Sequence, residues 1–366
     1  MLDPVPCPWQ RVASCAIYSV KYYMAQRTRP IGKKLMNYFA LIFKAVGLVA
    51  LSMCISCSHS SQKMNTGNQT GGRPAEEAAR MCPSQHNKHI SDLSEHNSMR
   101  WYYPQTASET RGVALVIHGL NLRPDKMESI IARLTDSGIE ALNLSLRGHG
   151  ENYSPNDNSD NIEARLESFK AVSYQIWMQE TCDAYRVAKH RSDQLNVPIF
   201  LVGFSLGGLM GTDLLVTEPA VQFDKMVLFA PALKIHWRNH LIRVLSPFPG
   251  LTIPSFTEAS YQSNDGTPMA GYNALFEALK GVAPKVGPKA NVPTLVFIDK
   301  KDELVSYGRL KKMVADQKLD QWQFYIVQKE KTKGSTTIHH LIIDAPSTGE
   351  DVWAKMMAAM VKHLNN

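Results

Sequence analysis

A mostly parallel β-sheet covered by helices on both faces, an α/β fold, is expected for this 366-residue chain from three features. Six short, nearly unbroken apolar runs recur along it, helical stretches alternate with them, and a glycine-flanked serine stands where one run meets the helix that follows. Continuous apolar strands, rather than alternating ones, are what a sheet buried on both faces requires. With 44% apolar residues the chain can build a large core, and its length suits one α/β domain with extensions.

The first run, 113–117, is Val-Ala-Leu-Val-Ile and ends at His118-Gly119. A helix over 124–134 follows, with Met127, Ile130, Ile131 and Leu134 at helical spacing. The second run is 139–144, and a long helical stretch covers about 168–196. The third run, 199–202, leads into Gly203-Phe204-Ser205-Leu206-Gly207-Gly208 and a helix from Leu206. Runs at 226–229, 294–298 and 324–327 complete the set, and a last helix carries Val352, Met356, Met357, Met360 and Leu364. Between Pro231 and Pro288 the alternation stops, while Trp237, Leu241, Ile242, Val244, Leu245, Phe248, Leu251 and Phe256 accumulate. That stretch, about 232–288, reads as a cap inserted over the sheet, because so many apolar side chains need a surface to cover.

The net charge of +7 is uneven. Seven basic residues and one acid precede Cys57, so the leader carries about +6 and the remainder about +1, which argues against a nucleic-acid partner. Lys33 and Lys34, the apolar stretch 45–55 and the following Cys57-Ser58 read as an export signal ending near a lipidation site at Cys57. Cys54 is the alternative acceptor, and an uncleaved membrane anchor is the plainer alternative. The expected division is a leader over 1–57, a polar tether over 58–99 rich in Ser, Gln, Asn and Gly, and a catalytic-type domain over 100–366. Outside the leader, Cys82 and Cys182 are the remaining thiols if Cys57 is acylated, and an exported context would allow them to pair. His86, His89 and His96 fit no zinc spacing, and the acidic stretch 156–161 lacks the glycine and glutamate of a calcium loop. No metal and no organic cofactor is expected.

The chemistry centres on Ser205. A serine on a sharp strand-to-helix turn adopts a strained backbone, and its neighbours two positions away approach so closely that a β-carbon would clash, hence Gly203 and Gly207. The turn presents the hydroxyl at a helix N-terminus, where backbone dipoles favour a developing anion. A hydroxyl needs a base to remove its proton, and a base needs a carboxylate to orient it. Asp302, on the loop after the 294–298 run, is the expected acid, with Asp299 its rival. His339 or His340, between the last strand and the last helix, supplies the base. The oxyanion donors expected are the N–H groups of Leu206 and of Leu120, the latter in the loop after the first run. His118 reads as a brace for that loop.

These residues resemble the α/β-hydrolase superfamily, in the branch of monoglyceride lipases, lysophospholipases and serine aminopeptidases. The resemblance rests on His118-Gly119, Leu146-Arg147-Gly148-His149-Gly150, the Gly203 to Gly208 elbow, Asp302 with Val305, and His339, and it covers about 100 to the C-terminus. It implies a Ser205, Asp302, His339 triad, since His339 lies five residues before Asp344 and His340 only four. It also implies an ester hydrolase working through an acyl-enzyme on a small-molecule or lipid ester, with peptidase or thioesterase chemistry as variants. A catalytically silent envelope lipoprotein that binds a ligand is the reading from another class. The leader places the protein outside the cytoplasm, as a membrane-anchored bacterial lipoprotein or else periplasmic or secreted.

Overall fold

The computed structural model describes residues 98–105, 110–154, 161–255, 257–330 and 338–366. The leader, most of the tether with its three histidines, Cys57, Cys82, Phe256 and most of the 156–161 stretch lie outside them.

Seven strands form the main sheet: β1 (Met99–Tyr102), β2 (Gly112–Ile117), β3 (Ile139–Leu144), β4 (Ile199–Phe204), β5 (Lys225–Phe229), β8 (Thr294–Ile298) and β9 (Trp322–Ile326). Their order is β1-β3-β2-β4-β5-β8-β9. Only β1 runs antiparallel, pairing Met99 with Leu144; the six apolar runs of the sequence are the six parallel strands. A two-stranded ribbon, β6 (Thr252–Pro254) with β7 (Gly266–Pro268), lies between β5 and β8 in the chain.

Every residue of β2, β3 and β4 is buried. Successive side chains of a strand point to opposite faces, and the two faces are filled separately. Val113, Leu115 and Ile117 join Leu201, Phe169 and Trp177 in one core, and Ala114 and Val116 join Phe200, Val202, Met356 and Met360 in the other. The first layer is built from α2 (Asn161–Lys170), α3 (Tyr174–Leu195), α4 (Leu206–Thr217) and α5 (Met269–Val282). The second holds α1 (Glu128–Asp136) and α8 (Glu350–Asn365). The helices α6 (Tyr307–Asp316) and the single turn α7 (Ala345–Thr348) complete the set.

The stretch read as one helix over 168–196 is two. Ser173, in extended conformation, caps α3 by accepting from the Ile176 N–H, and the break separates it from α2. A β1 strand ahead of the first apolar run carried no comparable signal, because Arg100 and its half-exposed aromatic neighbours do not form an apolar run.

Between β5 and β8, α5 sends Ala270, Ala274, Leu275 and Phe276 into the core beside α3 and α4. The 3-10 segment Trp237–Leu245 is tied to it where His240 stacks on Phe276 and Arg243 lies over the same ring. That segment leaves Trp237 69% and Val244 65% exposed, with Leu241, Phe248 and Leu251 also open to solvent.

Candidate active site

The chain order reverses at β2, with β3 on one side and β4 on the other. Such a switch point opens a crevice at the carboxyl ends of the strands. The loops leaving β2 and β4 meet there.

The loop after β4 is the elbow. Ser205 has φ 50° and ψ −110°, a conformation an L-residue adopts only under constraint. Its N–H donates to the Phe229 carbonyl at 2.9 Å, and its carbonyl accepts from Leu209 and Ala232. A β-carbon on Gly203 would meet the Gly208 nitrogen at 2.6 Å, and one on Gly207 would meet the Ile117 carbonyl oxygen at 2.1 Å. Both glycines are therefore demanded by close backbone approach. Ser205 is buried, 8% exposed overall.

Ser205 Oγ is 2.9 Å from His340 Nε2, and His340 Nδ1 is 2.8 Å from Asp302 Oδ2. The carboxylate accepts a hydrogen bond from Nδ1–H, which leaves Nε2 as the acceptor for the serine O–H. Asp302 is fixed in turn by the N–H groups of Leu304 and Val305, which donate to Oδ1 at 2.7 and 2.8 Å. Phe204 packs against the His340 ring at 5.1 Å.

His339, favoured by its spacing from Asp344, does not reach the serine. Its Nδ1 is 2.7 Å from Asp299 Oδ2, so each of the adjacent imidazoles has its own carboxylate from the loop after β8. Asp299, the rival acid, partners the other histidine. Side-chain direction in the turn decides the pairing, and a one-residue difference in spacing carries no information about direction. Asp344 is occupied elsewhere: its carboxylate accepts from the Tyr261 hydroxyl and from the Ser347 N–H, capping α7.

The loop after β2 lies against the nucleophile. A β-carbon on Gly119 would come within 3.3 Å of Ser205 Cβ. Leu206 opens α4, where first-turn N–H groups have no intrahelical acceptor. The N–H groups of Leu120 and Leu206 have no protein acceptor among the described residues. Their neighbours are held. Asn121, at φ 53°, gives its N–H to His149 Nε2 at 3.0 Å, and its side chain exchanges hydrogen bonds with Asn264. His118 Nε2 accepts the Leu146 N–H at 3.1 Å. Burial pushes His118 down to about 4, and burial beside His118 pushes His149 well below the usual histidine range. Both rings are therefore neutral acceptors that stitch the β2 loop to the Arg147-Gly148-His149 loop.

Sequence reasoning missed Asn264, Glu303 and Lys329. Glu303 accepts the N–H groups of both His339 and His340, and Lys329 donates to the carbonyls of Ile338 and Leu341. Burial lowers Lys329 to about 8 against the pull of Glu303, Asp299, Asp344 and Asp302. Glu303 adjoins Asp302, yet nothing in that adjacency announces a partner 36 residues away.

Among the described residues no group of three or more His, Cys, Asp or Glu converges as a metal would need. A cavity of about 460 Å³ between Arg100, Arg123, Arg165 and Ser263 opens near the β3 end and does not include the serine. Cys182 is buried in α3 and disulfide-bonded, its partner lying outside the described residues.

The chain matches the family model for serine aminopeptidase S33, Hydrolase_4, over residues 108–273. No curated protein matches it. One of two metagenome-derived lipolytic enzymes, LipS and LipT, shares 15% identity at a TM-score of 0.55, over 72% of this chain and 97% of that one. A soluble variant of monoglyceride lipase from Saccharomyces cerevisiae, in complex with a substrate analog, shares 12% at 0.53, over 73% and 90%. Monoacylglycerol lipase from Paleococcus ferrophilus shares 18% at 0.51, over 72% and 98%. At such identities the likeness is one of fold.

Proposed function

From the α/β-hydrolase fold and the match to the serine aminopeptidase S33 family model over residues 108–273, we propose that the chain is a serine hydrolase that cleaves carboxylic esters through an acyl-enzyme. The observation that carries this reading is the unbroken hydrogen-bonded line Ser205 Oγ, His340 Nε2, His340 Nδ1, Asp302 Oδ2. Ser205 attacks the ester carbonyl as His340 takes its proton. The tetrahedral oxyanion is held by the N–H groups of Leu206 and Leu120, aimed without reorganisation. His340 then protonates the departing alcohol. A water molecule, deprotonated by the same imidazole, releases the acid and regenerates the serine. Asp302 keeps the imidazole in the tautomer that accepts from serine and stabilises its cation.

The substrate class we infer is an apolar or lipid ester. The exposed residues Trp237, Leu241, Val244, Phe248 and Leu251 support it, and so does the run from 230 to 257, which holds Lys234, Arg238 and Arg243 but no acid. The 3-10 segment is bonded directly to the acid loop: His236 Nε2 contacts the Asp302 carbonyl, and Asn239 donates to the Glu303 and Leu304 carbonyls. An apolar, basic surface beside a serine suits esters presented on an anionic lipid layer.

Export and lipidation at Cys57 are proposed with it. The basic, apolar leader and the disulfide at Cys182 both fit an oxidising compartment. Incorporation of a clickable palmitate analogue into the wild type but not into Cys57→Ser is the expected result, and equal incorporation would reassign the lipid.

A fluorophosphonate probe tests the enzyme reading. Labelling of the wild type, lost in Ser205→Ala and suppressed in His340→Ala, is expected. A folded wild type that takes no label would leave a binding protein on a hydrolase scaffold. Esters of rising chain length, with amides and thioesters beside them, then define the substrate.

A further inference from the structure

His340 lies in residues 338–341, a turn that belongs to no helix or strand. No ladder of backbone hydrogen bonds fixes it, yet it must place an imidazole to within a fraction of an ångström. Two charged side chains take the backbone groups that a ladder would have taken. One oxygen of the Glu303 carboxylate accepts the His339 N–H and the other accepts the His340 N–H, each at 3.1 Å. The Lys329 ammonium donates to the carbonyls on either side of the histidine pair, those of Ile338 and Leu341. Four polar groups of four consecutive residues are thus held by one anion and one cation. Charge-assisted bonds of this kind are stronger and shorter in reach than neutral ones.

The placement of Glu303 matters as much as its bonds. It follows Asp302 directly, and the Asp302 carboxylate is pinned by the N–H groups of Leu304 and Val305 on the same loop. The loop is anchored from outside by Asn239 on the Glu303 and Leu304 carbonyls. One rigid loop therefore holds the His340 ring through Asp302 and the His340 backbone through Glu303. The ring bond alone leaves the imidazole free to swing about its Cα, whereas the two together fix both ends of the side chain.

We propose that Glu303 and Lys329 are positioning residues, a two-charge clamp on the 338–341 turn that keeps His340 Nε2 facing Ser205. The proposal rests on the reading of His340 as the base. The fold around the turn does not depend on the clamp. Leu341, Ile342 and Ile343 are buried in the core, and the Asp344–Ser347 capping box fixes the start of α7. Loosening the clamp therefore shifts the histidine without unfolding the sheet.

The experiment compares wild type with Glu303→Ala, Glu303→Gln, Glu303→Asp, Lys329→Met and Lys329→Arg, using a soluble short-chain ester, with Lys312→Met on the exposed face of α6 as a charge control. Glu303→Ala and Lys329→Met are expected to lower kcat on the order of 100-fold with KM changed less than about two-fold, the signature of a misplaced group rather than lost binding. Glu303→Asp and Lys329→Arg are expected to recover part of the loss. The far-downfield imidazole N–H proton of the His340–Asp302 pair, identified by its absence in His340→Ala, should broaden or vanish in Glu303→Ala. Should that variant fail to fold, the near-isosteric Glu303→Gln takes its place in both readings. Wild-type kcat and an unchanged downfield proton in folded Glu303 and Lys329 variants would overturn the clamp and leave the hydrolase reading standing. A wild type that neither labels with fluorophosphonate nor hydrolyses any ester would overturn the hydrolase reading. The proton signal then judges the clamp alone, its loss in the Glu303 variant supporting the positioning role and its persistence ending it.

Discussion

The rings of His118 and His149 lie 4.6 Å apart, both wholly shut away from solvent, and each accepts a backbone N–H from the opposite loop. Protonating either ring would replace an acceptor with a donor facing an N–H. With burial holding His118 at about 4 against an ordinary 6.5, the unfolded chain binds more protons than the folded one between those values, so stability falls as the solution is acidified. From pH 7.5 to pH 5 the His118 contribution alone is a loss of about 2 kcal/mol. Urea midpoints at the two values measure it. His118→Gln should flatten the dependence, and an unaltered slope in that variant would remove His118 from the account.

The neighbouring histidines are expected to separate by function. His340→Ala should lower kcat at least on the order of 1000-fold, as loss of a triad base does, and His339→Ala less than about ten-fold. Steady-state ester hydrolysis decides it, and the reverse order would return the base to His339.

The elbow glycines predict a contrast in stability. Gly207→Ala forces a β-carbon to 2.1 Å from the Ile117 carbonyl oxygen, where neither backbone can yield, and should cost roughly 3 kcal/mol or more. Gly308, in the first turn of α6, has nothing within 4 Å of its virtual β-carbon, and Gly308→Ala should be neutral or stabilising by about 0.5 kcal/mol. Thermal melts of the pair test this, and equal melting temperatures would refute the close-approach argument.

The exposed apolar side chains between Trp237 and Leu251 predict a selective loss. Trp237→Ser and Phe248→Ser should each weaken co-sedimentation with anionic vesicles about ten-fold, since burying a large apolar side chain is worth about 1.5–3 kcal/mol. Turnover of a monomeric short-chain ester should change far less. Vesicle binding unaffected by both substitutions would show that this surface does not meet lipid.

The six parallel strands could be read from nearly unbroken apolar runs because a sheet covered on both faces admits a polar side chain only where it is paired, as Glu140 is with Arg191 and Asn143 with the Pro124 carbonyl. The elbow could be read because a clash at 2.1 Å admits only glycine, so the backbone geometry is written directly into residue type. The edge strand β1 could not, since one face and one edge meet solvent and Arg100 is tolerated there. The break between α2 and α3 depends on Ser173 capping one helix in a stretch whose composition favours helix throughout.

What the residues alone determined is the layered fold, the serine on its turn and the short set of partners that could serve it. Backbone clashes and two-sided burial are local constraints, and local constraints leave marks in sequence. Which partner the serine meets was decided only in three dimensions: His340 is bonded to Ser205 while His339 is bonded to Asp299, and Glu303 and Lys329 hold the turn between them. Those choices depend on the direction of side chains brought together from 9 to 135 positions apart. Direction in a turn is set by the whole packed structure, and spacing along the chain does not carry it.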